Sequence, residues 1–289
     1  MTSSLMSSTP VDGKTIRILE GKSILHRKTL LKMIYSAKAG HTGGSLSCVD
    51  ILNVLYNHVM NISPENFSEI NRDHYIHSKG HSVEALYAVL ADKGFFPFES
   101  LDSIEKYGSD FIGHPTRSVP GIEQNTGALG HGLSLAVGMA LAAKKNGRTD
   151  RIFTIMGDGE LTEGSIWEAS ASAAHYHLDN LIAIIDRNTL QISGRTEDVM
   201  AMEPLMEKFS AFGYLVREVN GNSIPDLINL FDQLPFEKGK PNLVLANTTK
   251  GKGISFIEDQ VQWHHHVPTD AEYATALLEL DAAEKALGD

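Results

Sequence analysis

The chain has 289 residues, 42% of them hydrophobic and 21% charged, enough for a substantial core in one large domain or two small ones. Its formal net charge of −11 argues against a nucleic-acid or anionic-membrane partner, because both need clustered Lys and Arg to displace counterions. A phosphorylated ligand would then need local help, from a metal or from backbone amides.

In chain order, the opening MTSSLMSSTP has neither a basic start nor an apolar run, so it predicts no secretory signal. Residues 1–15 read as a flexible polar end ahead of one domain over 16–289. The stretch SSTPVDGKT is similar to a phosphate-binding P-loop, but Ser8 stands where its first glycine belongs and no strand precedes it. Residues 16–38 and 48–60 carry amphipathic helical patterns. Cys48, the only cysteine, falls among Leu46, Val49, Ile51 and Leu52 and is expected in the core. A single thiol excludes an intrachain disulfide and fits a reducing, cytoplasmic setting.

His74–His77 reads as a first strand, and 94–120 as a long loop rich in Gly and Pro. Leu133–Ala143 is about half the length that a membrane span requires and predicts a buried helix. The runs Arg151–Met156, Leu181–Asp186, Tyr214–Val219 and Asn242–Asn247 read as strands apolar on both faces, separated by helical segments that fit crossover connections. The expected fold is α/β, a doubly wound, mainly parallel sheet flanked by helices. A loop over 254–268 and a polar helical tail over 270–289 complete the chain.

The strand 151–156 runs directly into Gly157-Asp158-Gly159. Asp-Gly alone favours a tight turn. Here a helix over 162–175 follows, then the strand 181–186 and Asn188, and a right-handed crossover brings the ends of both strands to one edge of the sheet. A carboxylate from Asp158 and an amide oxygen from Asn188 there supply part of an oxygen shell for Mg²⁺ or Ca²⁺, which phosphate oxygens can complete. The amide of Gly159 at a helix start suits an anion. A dinucleotide-binding G-x-G-x-x-G would need Gly or Ala where Thr162 stands.

The spacing of GDG and Asn188, with KAGHTGGSLSCVDIL (38–52), HSKGHSVEALYAVLADKG (77–94), GHP (113–115), NTGALGHGLSLAVGMALA (125–142), TTKGKGISF and WHHH, resembles the amino-terminal, thiamine diphosphate-binding half of transketolases. The resemblance covers about residues 16–270 and implies the diphosphate-domain fold of that family. It implies that Asp158, Asn188 and the carbonyl of Leu190 hold a divalent metal (Mg²⁺, or Ca²⁺ or Mn²⁺). It implies that Gly159, His81, Lys250 and His264 hold the diphosphate, and that Gly127 and Leu129 pass the aminopyrimidine. His41, His114 and His264 would face the sugar, and Glu163 would sit at a contact between two copies.

Positioned imidazoles suit this chemistry, since attack on a ketose carbonyl generates an alkoxide that they can stabilise or protonate. His264, His265 and His266 could instead bind a transition metal, although three consecutive residues do not easily converge on one ion. His26, His58, His74, His77, His175 and His177 read as surface or hydrogen-bonded structural residues. Thr42, Ala128 and His131 depart from the family pattern at positions usually occupied by proline, by proline or serine, and by glutamine.

A complete transketolase chain is about twice this length, so the resemblance implies the first subunit of a split enzyme. A pyrimidine-binding partner of roughly 300 residues, an α₂β₂ assembly and sugar or sugar-phosphate substrates follow from it. The alternatives are the α subunit of a thiamine diphosphate-dependent 2-oxo acid dehydrogenase, a non-catalytic regulatory subunit, and a transfer on a modified sugar.

Overall fold

The computed structural model describes residues 12–288. Most of the stretch similar to a P-loop, and most of the end expected to be flexible, lie outside them; residues 13–15 already belong to helix α1 (Gly13–Ala37), where the Asp12 carboxylate accepts a hydrogen bond from the Lys14 amide. It is followed by α2 (Thr42–Ser47), α3 (Val49–Val54), a π-helical turn over Leu55–Val59, strand β1 (His74–His77) and α4 (Val83–Asp92). The segment expected as one amphipathic helix over 48–60 is helical over 49–59, with its last turn widened to the π form. Its polar residues Asp50 and Asn53 face α1, where they bond Arg27, Ser23 and Leu19 O instead of water.

Helix α5 (His131–Lys145), β2 (Ile152–Gly157), α6 (Gly164–His175), β3 (Leu181–Arg187), α7 (Thr196–Val199), α8 (Leu205–Phe212), β4 (Leu215–Asn220), α9 (Ile224–Phe231), β5 (Asn242–Asn247) and α10 (Asp270–Gly288) follow. The strands form one parallel sheet in the order β1-β2-β3-β5-β4. Alternate side chains of β3 serve two cores: Ile182 and Ile184 pack with α1, α3, α4 and α9, while Leu181, Ala183 and Ile185 pack with α5, α6 and α8. Helices on both faces explain why β1, β2 and β3 are buried along their whole length. β4 departs from the expectation of two apolar faces. It is an edge strand, paired only with β5, and it exposes Arg217 and Glu218.

Cys48 is fully buried in the first core. The other histidines expected to be structural mostly have partners. His26 meets Asp92 at 3.1 Å, His58 meets Asp232 at 3.1 Å, His74 meets Glu123 at 3.1 Å, and buried His77 bridges Tyr75 Oη (2.7 Å) and Ser82 Oγ (2.9 Å). His175 and His177 are exposed. Among the described residues no helix is long and apolar enough to cross a membrane.

Helix α4 carries a buried acid, Glu84, which accepts from Ser45 Oγ at 2.8 Å beneath the turn that leads to His41. Burial pushes its pKa from 4.5 up to about 7. Between those values the unfolded chain has lost this proton and the folded chain has kept it, so stability falls as pH rises through the window, by up to about 3 kcal/mol. Glu84→Gln, which cannot ionise, is expected to lose less thermal stability than the wild type between pH 5 and pH 8. Parallel melting curves for the two proteins over that range would contradict the assignment.

Candidate active site at the carboxyl edge of the sheet

The adjacent parallel strands β2 and β3 pair Gly157 with Asp186, so the residues after both strands emerge side by side. The Asp158 amide donates to Asp186 O at 3.3 Å, and the Thr189 amide donates to Asp158 Oδ2 at 2.6 Å. Asp158 and Asn188 thus meet at the carboxyl ends of neighbouring strands, where open α/β sheets bind ligands. A cavity of about 330 Å³ opens there, lined by His41, His81, Gly127, Leu129, Asp158, Gly159, Asn188, Leu190, Lys250 and His264, all candidates from the sequence. Two candidates lie off its lining. His114 packs its ring against Gly127, and its centroid is 6.3 Å from that of His41. Glu163 is exposed at the start of α6, against Gly130.

Glycine is required at two of these positions. Gly127 has φ +143°, and a Cβ there would meet the His114 ring at 2.8 Å. A Cβ on Gly159 would meet Gln191 Cγ at 2.8 Å, on the loop that carries Leu190.

Burial organises the electrostatics. Burial, together with the nearby Asp186 charge, pushes the Asp158 carboxyl up, while Arg187 Nη1 donates to its Oδ2 at 3.0 Å. Burial also pushes Asp186 up, but the Lys79 ammonium and several hydrogen bonds more than offset this and hold it below the usual carboxylate range. Lys250 Nζ donates to Leu190 O at 3.0 Å and lies 2.8 Å from His264 Nδ1. Burial and the Lys79 charge lower its pKa to about 8. Burial lowers His41 to about 4 and His264 to about 3, reinforced at His41 by His265 and at His264 by Lys250. Both rings are therefore neutral near pH 7, able to donate or accept a hydrogen bond without carrying charge.

Several residues that complete the site escaped the sequence reading. Buried Glu160 accepts from the amides of Gly130 (2.9 Å) and Gly157 (3.1 Å) and from Ser78 Oγ, tying three loops together. Lys79 and Asp186 form a buried ion pair under the cavity, joined by Ser47 Oγ, which donates to Asp186 at 2.6 Å. Arg195 grips Asp259 with two 2.6 Å contacts and links the loop after β3 to the loop of 254–268. Of the departures from the family pattern, Thr42 is explained by its hydroxyl, which donates to His266 O at 2.7 Å. His131 Nδ1 lies 3.1 Å from Leu129 O, and Ala128 is exposed.

The donor set fits a hard cation. A carboxylate, an amide side chain and a carbonyl (Asp158, Asn188, Leu190) line one cavity, the oxygen chemistry that Mg²⁺ prefers. Two buried polar atoms of the lining, His41 Nδ1 and Gln191 Nε2, have no partner, as expected of groups that meet a ligand.

The family profile described as "Transketolase, thiamine diphosphate binding domain" matches residues 23–279. A Phocaeicola vulgatus protein named as an apulose-4-phosphate transketolase subunit is 49% identical over 92% of this chain and 94% of its own length. A 6-deoxy-6-sulfo-D-fructose transketolase subunit from Clostridium sp. is 41% identical over 91% and 96% respectively. The solved transketolase of Campylobacter jejuni superposes with a TM-score of 0.82 at 30% identity, covering 95% of this chain and 48% of that one. The chain spans about half the length of the solved transketolases it matches.

Proposed function

Because the chain belongs to the transketolase family, as its thiamine diphosphate-binding domain, we propose that it is the cofactor-binding subunit of a split transketolase. It works with a pyrimidine-binding partner of roughly 300 residues in an α₂β₂ assembly, and transfers a two-carbon ketol unit from a ketose, in phosphorylated form, to an aldose. The observation that carries this reading is the convergence of Asp158, Asn188 and Leu190 with Lys250 and the histidines His41, His81 and His264 on one cavity. Relatives named as subunits, similar to this chain over nearly their whole lengths, support the need for a partner. The family match separates the chain from the 2-oxo acid dehydrogenase alternative. A cytoplasmic setting agrees with one buried thiol.

Thiamine diphosphate, when bound, supplies the nucleophilic carbon and the electron sink for cleaving the ketose. Asp158, Asn188 and the Leu190 carbonyl would hold Mg²⁺, which would supply the positive charge that a diphosphate needs in an otherwise acidic protein. The Gly159 amide, His81 and Lys250 would complete the diphosphate cradle, and His264 would serve both it and the sugar. Gly127 and Leu129 would pass the aminopyrimidine. His41 and His114 donate hydrogen bonds to sugar hydroxyls and to the oxygen that gains charge on carbonyl attack. Glu163, which is exposed, would contact another protomer.

The reconstitution experiment tests the whole reading. The chain with Mg²⁺, thiamine diphosphate and its partner is expected to transfer two-carbon units between phosphorylated sugars, and the chain without the partner to transfer none. Transfer by the purified chain alone would overturn the split arrangement. In the assembled enzyme, His41→Ala is expected to lower kcat by about 10²–10⁴-fold, the range of a lost proton-transfer or oxyanion partner. Its Mg²⁺-dependent cofactor affinity should change little. A loss confined to cofactor affinity would move His41 from the sugar to the cofactor.

A further inference from the structure

The three consecutive histidines of WHHH do not converge, but two of them meet a third from elsewhere. His266 turns away, with its ring 4.4 Å from Trp263 and its Nε2 3.1 Å from Glu272. His264 and His265 turn towards His41, at the start of α2. Ring centroids are 4.3 Å apart for His41 and His265, 4.6 Å for His264 and His265, and 5.5 Å for His41 and His264. One nitrogen from each ring lies within 4.8 Å of the other two.

We propose that His41, His264 and His265 form a second metal site, selective for a divalent transition ion of the zinc class, whose occupation withdraws these imidazoles from the sugar side of the cavity. A tetrahedral ion with Zn–N bonds of about 2.0–2.1 Å holds its ligands roughly 3.4 Å apart. The exposed ring of His265 is free to rotate over the remaining distance. His41 Nδ1 is buried without a partner, an independent sign that this ring is placed to meet a ligand. The fourth position opens on the cavity and takes water. The loop that carries His264 and His265 is held to α2 by the Thr42 hydroxyl on His266 O, so the three rings are presented on joined backbone.

Two chemically distinct donor sets then share one cavity: oxygens from Asp158, Asn188 and Leu190 for a hard ion, and three imidazoles for a borderline one. Lys250 stands between them, with its Nζ on Leu190 O and beside His264 Nδ1. Its ammonium competes with a cation for His264. The binding claim stands apart from the transketolase reading, which uses only the oxygen set for metal.

Co²⁺ titrated into the metal-free full-length chain reports on the imidazole site through the visible bands of a tetrahedral nitrogen-ligated ion, and Zn²⁺ displaces it. The wild type is expected to develop those bands. His265→Ala should weaken Co²⁺ binding by more than the roughly 10–100-fold typical of losing an outer-shell partner. His266→Ala should leave the bands unchanged, Asp158→Asn should retain them, and Lys250→Met should strengthen binding by removing the competing charge. Circular dichroism verifies that each variant is folded. Absence of tetrahedral bands in the wild type, or bands that survive His265→Ala and vanish in Asp158→Asn, would overturn the proposal. In the reconstituted enzyme, Zn²⁺ at concentrations that fill the site should inhibit the wild type at least about tenfold more strongly than His265→Ala. Equal inhibition of both would overturn the blocking role.

Discussion

Asp158→Asn is expected to reduce Mg²⁺-dependent thiamine diphosphate affinity by about 100-fold or more, a loss of roughly 2.7 kcal/mol, and to leave the assembled enzyme without detectable transfer. The substitution keeps the shape of the side chain and removes the one acidic side chain among the three proposed metal ligands. A divalent ion held by neutral oxygens alone, among the cations of Arg187, Lys79 and Lys250, has lost its main electrostatic attraction. The fold should survive. Arg187 keeps Glu203 at 2.9 Å and Thr196 Oγ1 at 2.7 Å, so its charge is not stranded. The amide group must set a donor against either Gly159 N or the pair formed by Thr189 N and Arg187, which costs about 1–3 kcal/mol. Calorimetry with and without Mg²⁺, alongside a melting curve, separates the two effects. If Asp158 were only a turn residue, the melting temperature would fall while cofactor affinity stayed within about threefold, and the metal assignment would fail.

The parts of this site that were legible in the sequence are those whose chemistry is local. Gly157-Asp158-Gly159 at a strand end, and Asn188 just past the next strand, can be placed together because a parallel crossover returns the chain to the same edge. β2, β3 and β5 were legible for a related reason, since a strand covered on both faces must be apolar throughout. β4 broke that rule. Its sequence YLVREV contains Arg217 and Glu218, and only its place at the sheet edge lets them face water.

The buried ionic groups were less accessible. Lys79 and Asp186 are 107 residues apart, and neither charge announces burial, because each is tolerated only when it has a partner. In the sequence Glu160 is one more polar residue before the helix over 162–175, whereas in the fold it is buried and accepts from two backbone amides and a serine. A carboxylate directly after a glycine at a strand end, flanked by glycine-rich segments with amides to satisfy, was the signal available. The histidine cluster shows the same limit. The run of three identical residues drew attention to its own members, while the third ring of the cluster came from His41, more than 200 residues earlier.

Asp186→Asn is expected to be the most destabilising substitution near the site, and to weaken the metal without touching it. Asp186 is fully buried at the end of β3 and accepts from Lys79 Nζ, Ser47 Oγ and Thr248 Oγ1, and from Asn188 Nδ2 at 3.3 Å. Neutralising it leaves the buried Lys79 ammonium uncompensated, which costs about 3–5 kcal/mol. At roughly 2–4 °C per kcal/mol for a chain of this order of size, the melting temperature should fall by about 6–20 °C. The same carboxylate helps to fix which way the Asn188 amide points: its Nδ2 donates to Asp186, while its Oδ1 accepts from the Leu190 amide at 3.2 Å. The substituted amide keeps an oxygen for Asn188 but not the charge that draws it, and weakening that partner should cost about tenfold in Mg²⁺ affinity, the low end of an outer-shell loss. The double variant Lys79→Met/Asp186→Asn separates the two roles. Removing both charges should restore a large part of the stability, because no ion is left unpaired, while the metal affinity stays low, because the Asn188 Nδ2 still faces a neutral and weaker acceptor. Equal instability of the single and double variants would show that the stranded ammonium is not the cause, and an unchanged Mg²⁺ affinity in both would show that Asn188 is oriented by something else.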